Sequence, residues 1–139
     1  MGVAFPGLDF FKALQNEAST NPGALADLGP CDAYCGFNIG DRLFVLEFEG
    51  HECGAVVGGG NPLDLDFVLR GSESAWSGLV ESLAKSGGAD ATGRLADQIE
   101  AGTLEIATEA DDGVELARAA LPFLQGFLEL TSRIEVDFA

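Results

Sequence analysis

Apolar residues recur along this chain with two periods, and the switches between them mark its elements. Leu8, Phe11, Leu14 and Ala18 fall at helical spacing, which predicts an amphipathic helix over 7–20. Asn21-Pro22-Gly23 ends it, and residues 24–32 read as a loop or a short turn of helix. Strands then follow in quick succession. Tyr34 to Ile39 is a short apolar run closed by Gly40-Asp41, a hairpin signal. Leu43 to Phe48 is apolar on both faces before it alternates, as in a strand covered on both sides for part of its length. Cys53 to Val57 makes a third strand, ended by three glycines. Leu63, Leu65, Phe67 and Leu69 then alternate with Asp64, Asp66 and Val68, the pattern of a half-buried strand with its aspartates outward.

The second half turns helical. Gly71-Ser72 ends the strand and caps a helix, with Glu73 favourable in its first turn. Trp76, Leu79, Val80 and Leu83 occupy one face of that helix. After a glycine-rich break at 86–90, residues 91–100 read as a short helix with Leu95 and Ile99 inward. Thr103 to Thr108 reads as a strand with Leu104 and Ile106 on one face. In the last helical region Ala117, Leu121, Leu124 and Leu128 share a stripe, and Phe123, Phe127 and Leu130 add a second apolar edge. Pro122 interrupts it, because proline lacks a backbone donor and clashes with the preceding turn, so a kink or two abutting helices are expected. The order predicts one α+β domain over 1–139, with a mostly antiparallel sheet and helices packed on one face. Its helices carry more bulky apolar residues than one sheet face needs. That surplus suits a cavity, and equally a homodimer interface formed by residues 121–130.

Composition narrows the partners. The chain has 23 acids against 7 bases, a net charge of −16, with the acids spread throughout. Such a field repels phosphate backbones and anionic lipid surfaces, so nucleic acid and stable membrane insertion are not expected as partners. No apolar run approaches the ~18 residues of a membrane span, and the N-terminal segment lacks the basic start and long apolar core of a secretion signal. The expected location is the cytoplasm. High charge keeps an apolar domain soluble, and an acidic surface with only Lys12 and Lys85 as lysines also suits a high-salt cytoplasm.

With these elements in place the chain resembles the sterol carrier protein 2 domain family. The resemblance lies in the strand pair Tyr34–Ile39 and Leu43–Phe48, then Asp64-Leu65-Asp66-Phe67-Val68-Leu69, then the segment from Gly71 to Trp76, and Gly102-Thr103-Leu104-Glu105-Ile106 before the closing helix. It runs from about residue 7 to 130, and its motifs are diffuse. It implies a five-stranded sheet under about as many helices, with a hydrophobic tunnel between the layers. It also implies a partner that is a hydrophobic small molecule: a fatty acid, fatty acyl-CoA, sterol or isoprenoid. The family also supplies accessory or dimerisation domains to larger enzymes. The chain departs from the pattern in ending Val136-Asp137-Phe138-Ala139, not in a peroxisomal tripeptide, and in its acidity, which counts against acyl-CoA.

On that reading the pocket lining is Leu65, Phe67, Trp76, Leu79, Val80, Leu83, Leu104, Ile106, Leu124 and Phe127. Ordinary core packing explains each of these singly. A twelve-carbon chain buried there would gain roughly 10 kcal/mol gross, at ~0.8 kcal/mol per methylene. Association costs at least several kcal/mol of that, leaving micromolar binding within reach without an ion pair. An anionic headgroup would need a cation. Arg70 is the best placed, beside the Ser72 helix start, with Arg42 and Arg94 as alternatives; if none points inward, a neutral ligand is favoured.

No cofactor or metal is expected. Cys31, Cys35 and Cys53 form an odd set without a secretion signal, which argues against a disulfide framework and for small buried hydrophobes. With His51 they would make a Cys3His zinc set, but at a spacing unlike the standard zinc motifs. Nucleophile elbows and phosphate loops are absent. If the domain were a small isomerase or hydratase acting on a steroid or terpenoid, Asp66 or Glu105 would be its acid or base, provided either faced the cavity.

Overall fold

The computed structural model describes residues 2–21, 23, 31–50, 52–59, 65–87, 91–108 and 111–138. The chain begins with β1 (Val3–Phe5) and α1 (Leu8–Thr20), then lays down β2 (Ala33–Ile39), β3 (Arg42–Glu49), β4 (Glu52–Gly58) and β5 (Phe67–Gly71). It continues with α2 (Glu73–Ser86), a tight helical turn at Ala91–Gly93, α3 (Leu95–Ala101), β6 (Leu104–Ala107) and α4 (Gly113–Glu129). A second tight turn, Leu130–Arg133, leads to β7 (Val136–Phe138). The described elements follow the expected order, with the first and last strands added and β5 beginning at Phe67 where alternation had suggested Leu63; the segment 24–30 and Leu63-Asp64 lie outside the described residues.

The main sheet has the order β4-β3-β2-β5-β6. Its pairings are antiparallel except β2 with β5, which run parallel. Short turns stack β3 and β4 on one side of β2. The chain then returns to the other side, and that return makes the β2–β5 pair parallel. The β2–β3 turn places Gly40 at φ +64 with no positive φ at Asp41, the pattern of a two-residue turn with glycine first. β1 and β7 pair in a separate parallel ribbon, Val3 opposite Val136 and Phe5 opposite Phe138, which ties the two ends of the described chain together.

Alternation makes the sheet one-sided. Cys35, Phe37 and Ile39 of β2, Phe44, Leu46 and Phe48 of β3, and Phe67 and Leu69 of β5 all join one core with the four helices. β4 joins it through Cys53 and Val56, three residues apart, because the register slips at Glu47/Phe48: Phe48 faces Cys53 while Glu47 faces Ala55. Such a bulge lets both residues point inward. On the opposite face Val57, Val45, Gly36, Val68 and Ala107 form one register row across all five strands. Gly36 leaves room in that row for the side-chain ends of Leu43 and Leu65, which a Cβ there would meet at 2.9 Å and displace.

α2 is fixed at both ends and through its centre. Ser72 Oγ accepts from the Ala75 amide at 3.1 Å, and Gly87 closes the helix in the left-handed conformation at φ 60. Trp76, 1% exposed, donates its ring N–H to the backbone carbonyl of Asn38 at 2.8 Å, joining the helix to the central strand.

α4 differs from expectation in two ways. It is one continuous helix with Pro122 inside it. The proline faces solvent, where water can serve the Arg118 carbonyl that it leaves without an intrahelical donor. The buried stripe is also rotated: Ala117, Ala120, Phe123, Leu124, Phe127 and Leu128 point inward, and Leu121 lies half-exposed at the edge.

Trp76→Ala should cost about 3–5 kcal/mol in urea unfolding. Trp76→Phe should cost about 1–3 kcal/mol, since it keeps most of the volume and removes the bond to Asn38. Equal stability of Trp76→Phe and the parent protein would show that this bond does not hold α2 to the sheet.

Candidate functional site

The layer between the inner sheet face and the helices is the candidate site, and it is built largely of rings. Phe11 of α1 stacks on Phe37 with centroids 5.3 Å apart and meets Phe44 at 5.0 Å, while Trp76 lies edge-on to Phe37 at 5.6 Å. A second group forms where α4 crosses β3: Phe48 meets Phe123 at 5.4 Å and Phe127 at 5.1 Å, both edge-on. Trp76 and Phe127 therefore stand in separate ring groups of one continuous core. The layer contains almost no polar side chain. Thr131 is the buried polar residue among those described, and its hydroxyl donates to the Leu128 carbonyl.

Of the residues expected to line a pocket, Phe67, Trp76, Leu79, Val80, Leu83, Leu104, Leu124 and Phe127 belong to this core, and Ile106 packs against it half-buried. Leu65 does not. It precedes β5, in a bend where strand alternation has not begun, and it lies on the sheet face opposite the described helices with Val45 and Val68. Asp66 in that bend accepts from the Tyr34 amide at 2.8 Å and pins the chain to the start of β2. Several ring-bearing members of the layer were not among the residues expected to line a pocket: Phe10 and Phe11 from α1, Phe37, Phe44 and Phe48 from the early strands, and Phe123. Their signal was present in the helical stripe of α1 and the dense apolar run of β3.

The cations stay at the rim. Arg70 pairs with Glu105 across β5 and β6, both about half-exposed at 56%. It borders an open groove of about 340 Å³ with Gly40, Ser72 and Thr103. Arg42 donates to the Pro6 carbonyl at 2.9 Å and lies 5.2 Å from the Phe44 ring centre. Arg94 lies 3.9 Å from Asp97, near the surface. Of these three, Arg42 meets the apolar layer at its edge, exposed over the Phe44 ring. Glu105 and Asp66, the carboxylates named for proton transfer, lie outside the layer. Phe123, Leu124, Phe127, Leu128 and Leu130, expected as part of a dimer face, are buried within the chain itself.

No protein-family model matches the chain. No curated protein matches it in sequence. Solved structures match it in shape, two of them with most of both chains superposed. One is the solution structure of the conserved hypothetical protein TT1886 from Thermus thermophilus, described as a possible sterol carrier protein. It has a TM-score of 0.68 and 10% identity, over 99% of this chain and 97% of that one. The other is a crystal structure of sterol carrier protein 2, with a TM-score of 0.62 and 13% identity, over 92% of this chain and 95% of that one. The fold is that of sterol carrier protein 2. Near-complete coverage in both directions means that the likeness extends over the sheet and the helix layer together.

Within this sterol carrier protein 2-like fold the three cysteines are free and buried at the inner face. Burial pushes the Cys31 thiol up from 9.0 to about 11, helped by the Asp32 charge. Burial likewise pushes Cys53 up to about 12, and Cys35 well above the ordinary range. Thiols so held remain protonated near neutral pH and pack as small hydrophobes. Among the described residues no set of three metal-ligating side chains converges; His51 lies outside them.

The folded thiol values lie above the unfolded ones, so the folded state holds its protons longer. The associated stability is complete below about pH 9 and is lost as pH rises through 11 to 12. Iodoacetamide at pH 8 should alkylate Cys31 about a hundredfold more slowly in the native protein than in urea, matching the depressed thiolate fraction. Equal rates would mean that the thiols are accessible and ionised.

Proposed function

We propose that this domain binds a hydrophobic, uncharged small molecule between its sheet and its helices, around Trp76 and Phe127. The ligand is a lipid such as a sterol or isoprenoid, carried without chemical change. The observation that carries this reading is the character of the layer: rings and branched aliphatic residues from the sheet and all four helices, with every candidate cation held at the rim. The similarity in fold to a sterol carrier protein and to a possible one supports the same class of ligand.

The contacts of Phe48 with Phe123 and Phe127 are the place where the layer would part. Ring pairs of this kind contribute ~0.5–1.5 kcal/mol each beyond the area they bury. Each ligand methylene contributes ~0.8 kcal/mol on burial, so a medium-length chain offsets the loss of two such contacts. Phe67, Leu79, Val80, Leu83, Leu104, Ile106 and Leu124 would form the walls, from opposite sides of the layer. An uncharged ligand needs no counter-ion there, and a charged one would have to shed its hydration with nothing to replace it.

The test is native mass spectrometry of the protein as purified from its host, followed by solvent extraction. A neutral lipid bound near one per chain is the expected result. A clean apo mass, with no uptake when a sterol and an isoprenoid are each supplied, would remove the carrier reading.

A further inference from the structure

We propose that the free edge of β4 is a docking site for an extended, positively charged segment of another protein, which adds to the sheet as a sixth strand. β4 is an outer strand in the order β4-β3-β2-β5-β6, and its seven residues include no proline and no lysine. Those are residues that commonly blunt such an edge. The other edge strand, β6, has only four residues.

The register shows which main-chain groups face outward. The Gly59 amide donates to the Leu43 carbonyl at 2.7 Å, so Leu43 and, by alternation, Val45 turn their main chain toward β4. Val57, opposite Val45, turns its own toward β3, which leaves the N–H and C=O of Val56 and Gly58 facing away from the sheet. Among the described residues nothing pairs with them. α1 closes the start of the same edge, where Gln15 donates to the Cys53 carbonyl at 3.0 Å. The bare edge therefore runs from Ala55 to Gly58, and Val57 stands there 47% exposed.

Charge complementarity identifies the occupant. Glu47 and Glu49 of β3 and Glu52 of β4 are exposed beside this edge, and Glu49 stands directly opposite Glu52. Like charges so placed repel. The bulge brings Glu47 to the edge itself: a Cβ on Gly54 would lie 3.9 Å from its carboxylate oxygen. Glu47 has no ion-pair partner among the described residues. Its neighbour across β2 and β3 is Tyr34, 42% exposed, so a cation that reached Glu47 would also come near an aromatic ring. Arg70 shares this sheet face, but it pairs with Glu105 on the far strands. A second copy of this chain would bring the same carboxylates and a further −16. A lysine or arginine in an added strand instead reaches Glu47 across the small Ala55, which lies opposite it. The charge of the whole chain steers a cationic partner inward, main-chain bonds to Val56 and Gly58 hold it, and the carboxylates select it.

The experiment is an amide chemical-shift titration of the intact protein with a synthetic eight-residue peptide that alternates lysine with threonine. Residues 52–59 should shift and saturate, more weakly as salt is raised. Two control peptides separate the contributions. Glutamate in place of lysine should leave these residues unmoved. N-methylation of the threonines, whose N–H groups face Val56 and Gly58 when the lysines lie on the Glu47 side, should abolish the response. In the protein, Glu47→Gln should weaken the lysine peptide roughly two- to fivefold. Val57→Lys, a change at an exposed side chain, should weaken it about tenfold while Trp76 fluorescence stays that of the parent. Equal binding of the N-methylated peptide would overturn the proposal, because charge alone would then account for it. So would equal binding of the glutamate peptide, shifts confined to other parts of the chain, or no shift at millimolar peptide. Shifts at 52–59 that appear on concentrating the protein alone would also overturn it, by giving the edge to a second copy.

Discussion

The central strand β2 has one face it must bury and one it must not, and the rest of the molecule is arranged around that asymmetry. Cys35, Phe37 and Ile39 project to the side where the helices lie, and Tyr34, Gly36 and Asn38 project to the other. Strand alternation leaves no intermediate choice, because a slip of one residue would exchange the two sets. The neighbours therefore copy the polarity through their registers: Phe44 and Leu46 on one side, Phe67 and Leu69 on the other. α1, α2, α3 and α4 then have a single apolar surface to cover. The bond from Trp76 to the Asn38 carbonyl ties that cover to the strand that defines it.

Much of this was legible in the sequence because periodicity reports a local rule. The helix over 7–20, the early strands, the Ser72 cap and the Trp76 stripe are all consequences of spacing and turn chemistry, and the structure places them within a residue or two. What was not legible depends on distant partners. The strands β1 and β7 are too short to show a pattern, and they exist only because each supplies the other's ladder. Leu65 shares a parity with Phe67 and Leu69, but parity holds only inside a strand, and β5 begins after it. Leu121 and Ala120 both sit near the edge of the α4 stripe; packing of Phe123 and Phe127 on Phe48 decides which turns inward. Arg70 precedes the α2 start in sequence, but its ion pair depends on the β5–β6 register, which sequence does not supply.

The charge distribution separates two environments. Among the described residues the interior layer holds no charged side chain, while the sequence as a whole carries a large acidic excess. An acidic shell of this size keeps an apolar domain dispersed and discourages adhesion to anionic surfaces. That suits a molecule that takes up and releases an uncharged ligand without lodging in a bilayer.

The single tryptophan makes the central claim open to direct measurement, because Trp76 is buried in the layer proposed to receive the ligand. The measurement is titration with an uncharged sterol or isoprenoid bearing bromine, which quenches indole fluorescence on contact, with bound ligand counted separately by equilibrium dialysis. Quenching that saturates together with binding, at about one ligand per chain, is the predicted result. Saturable binding that leaves Trp76 fluorescence unchanged would contradict the account, since the ligand would then occupy some other part of the molecule.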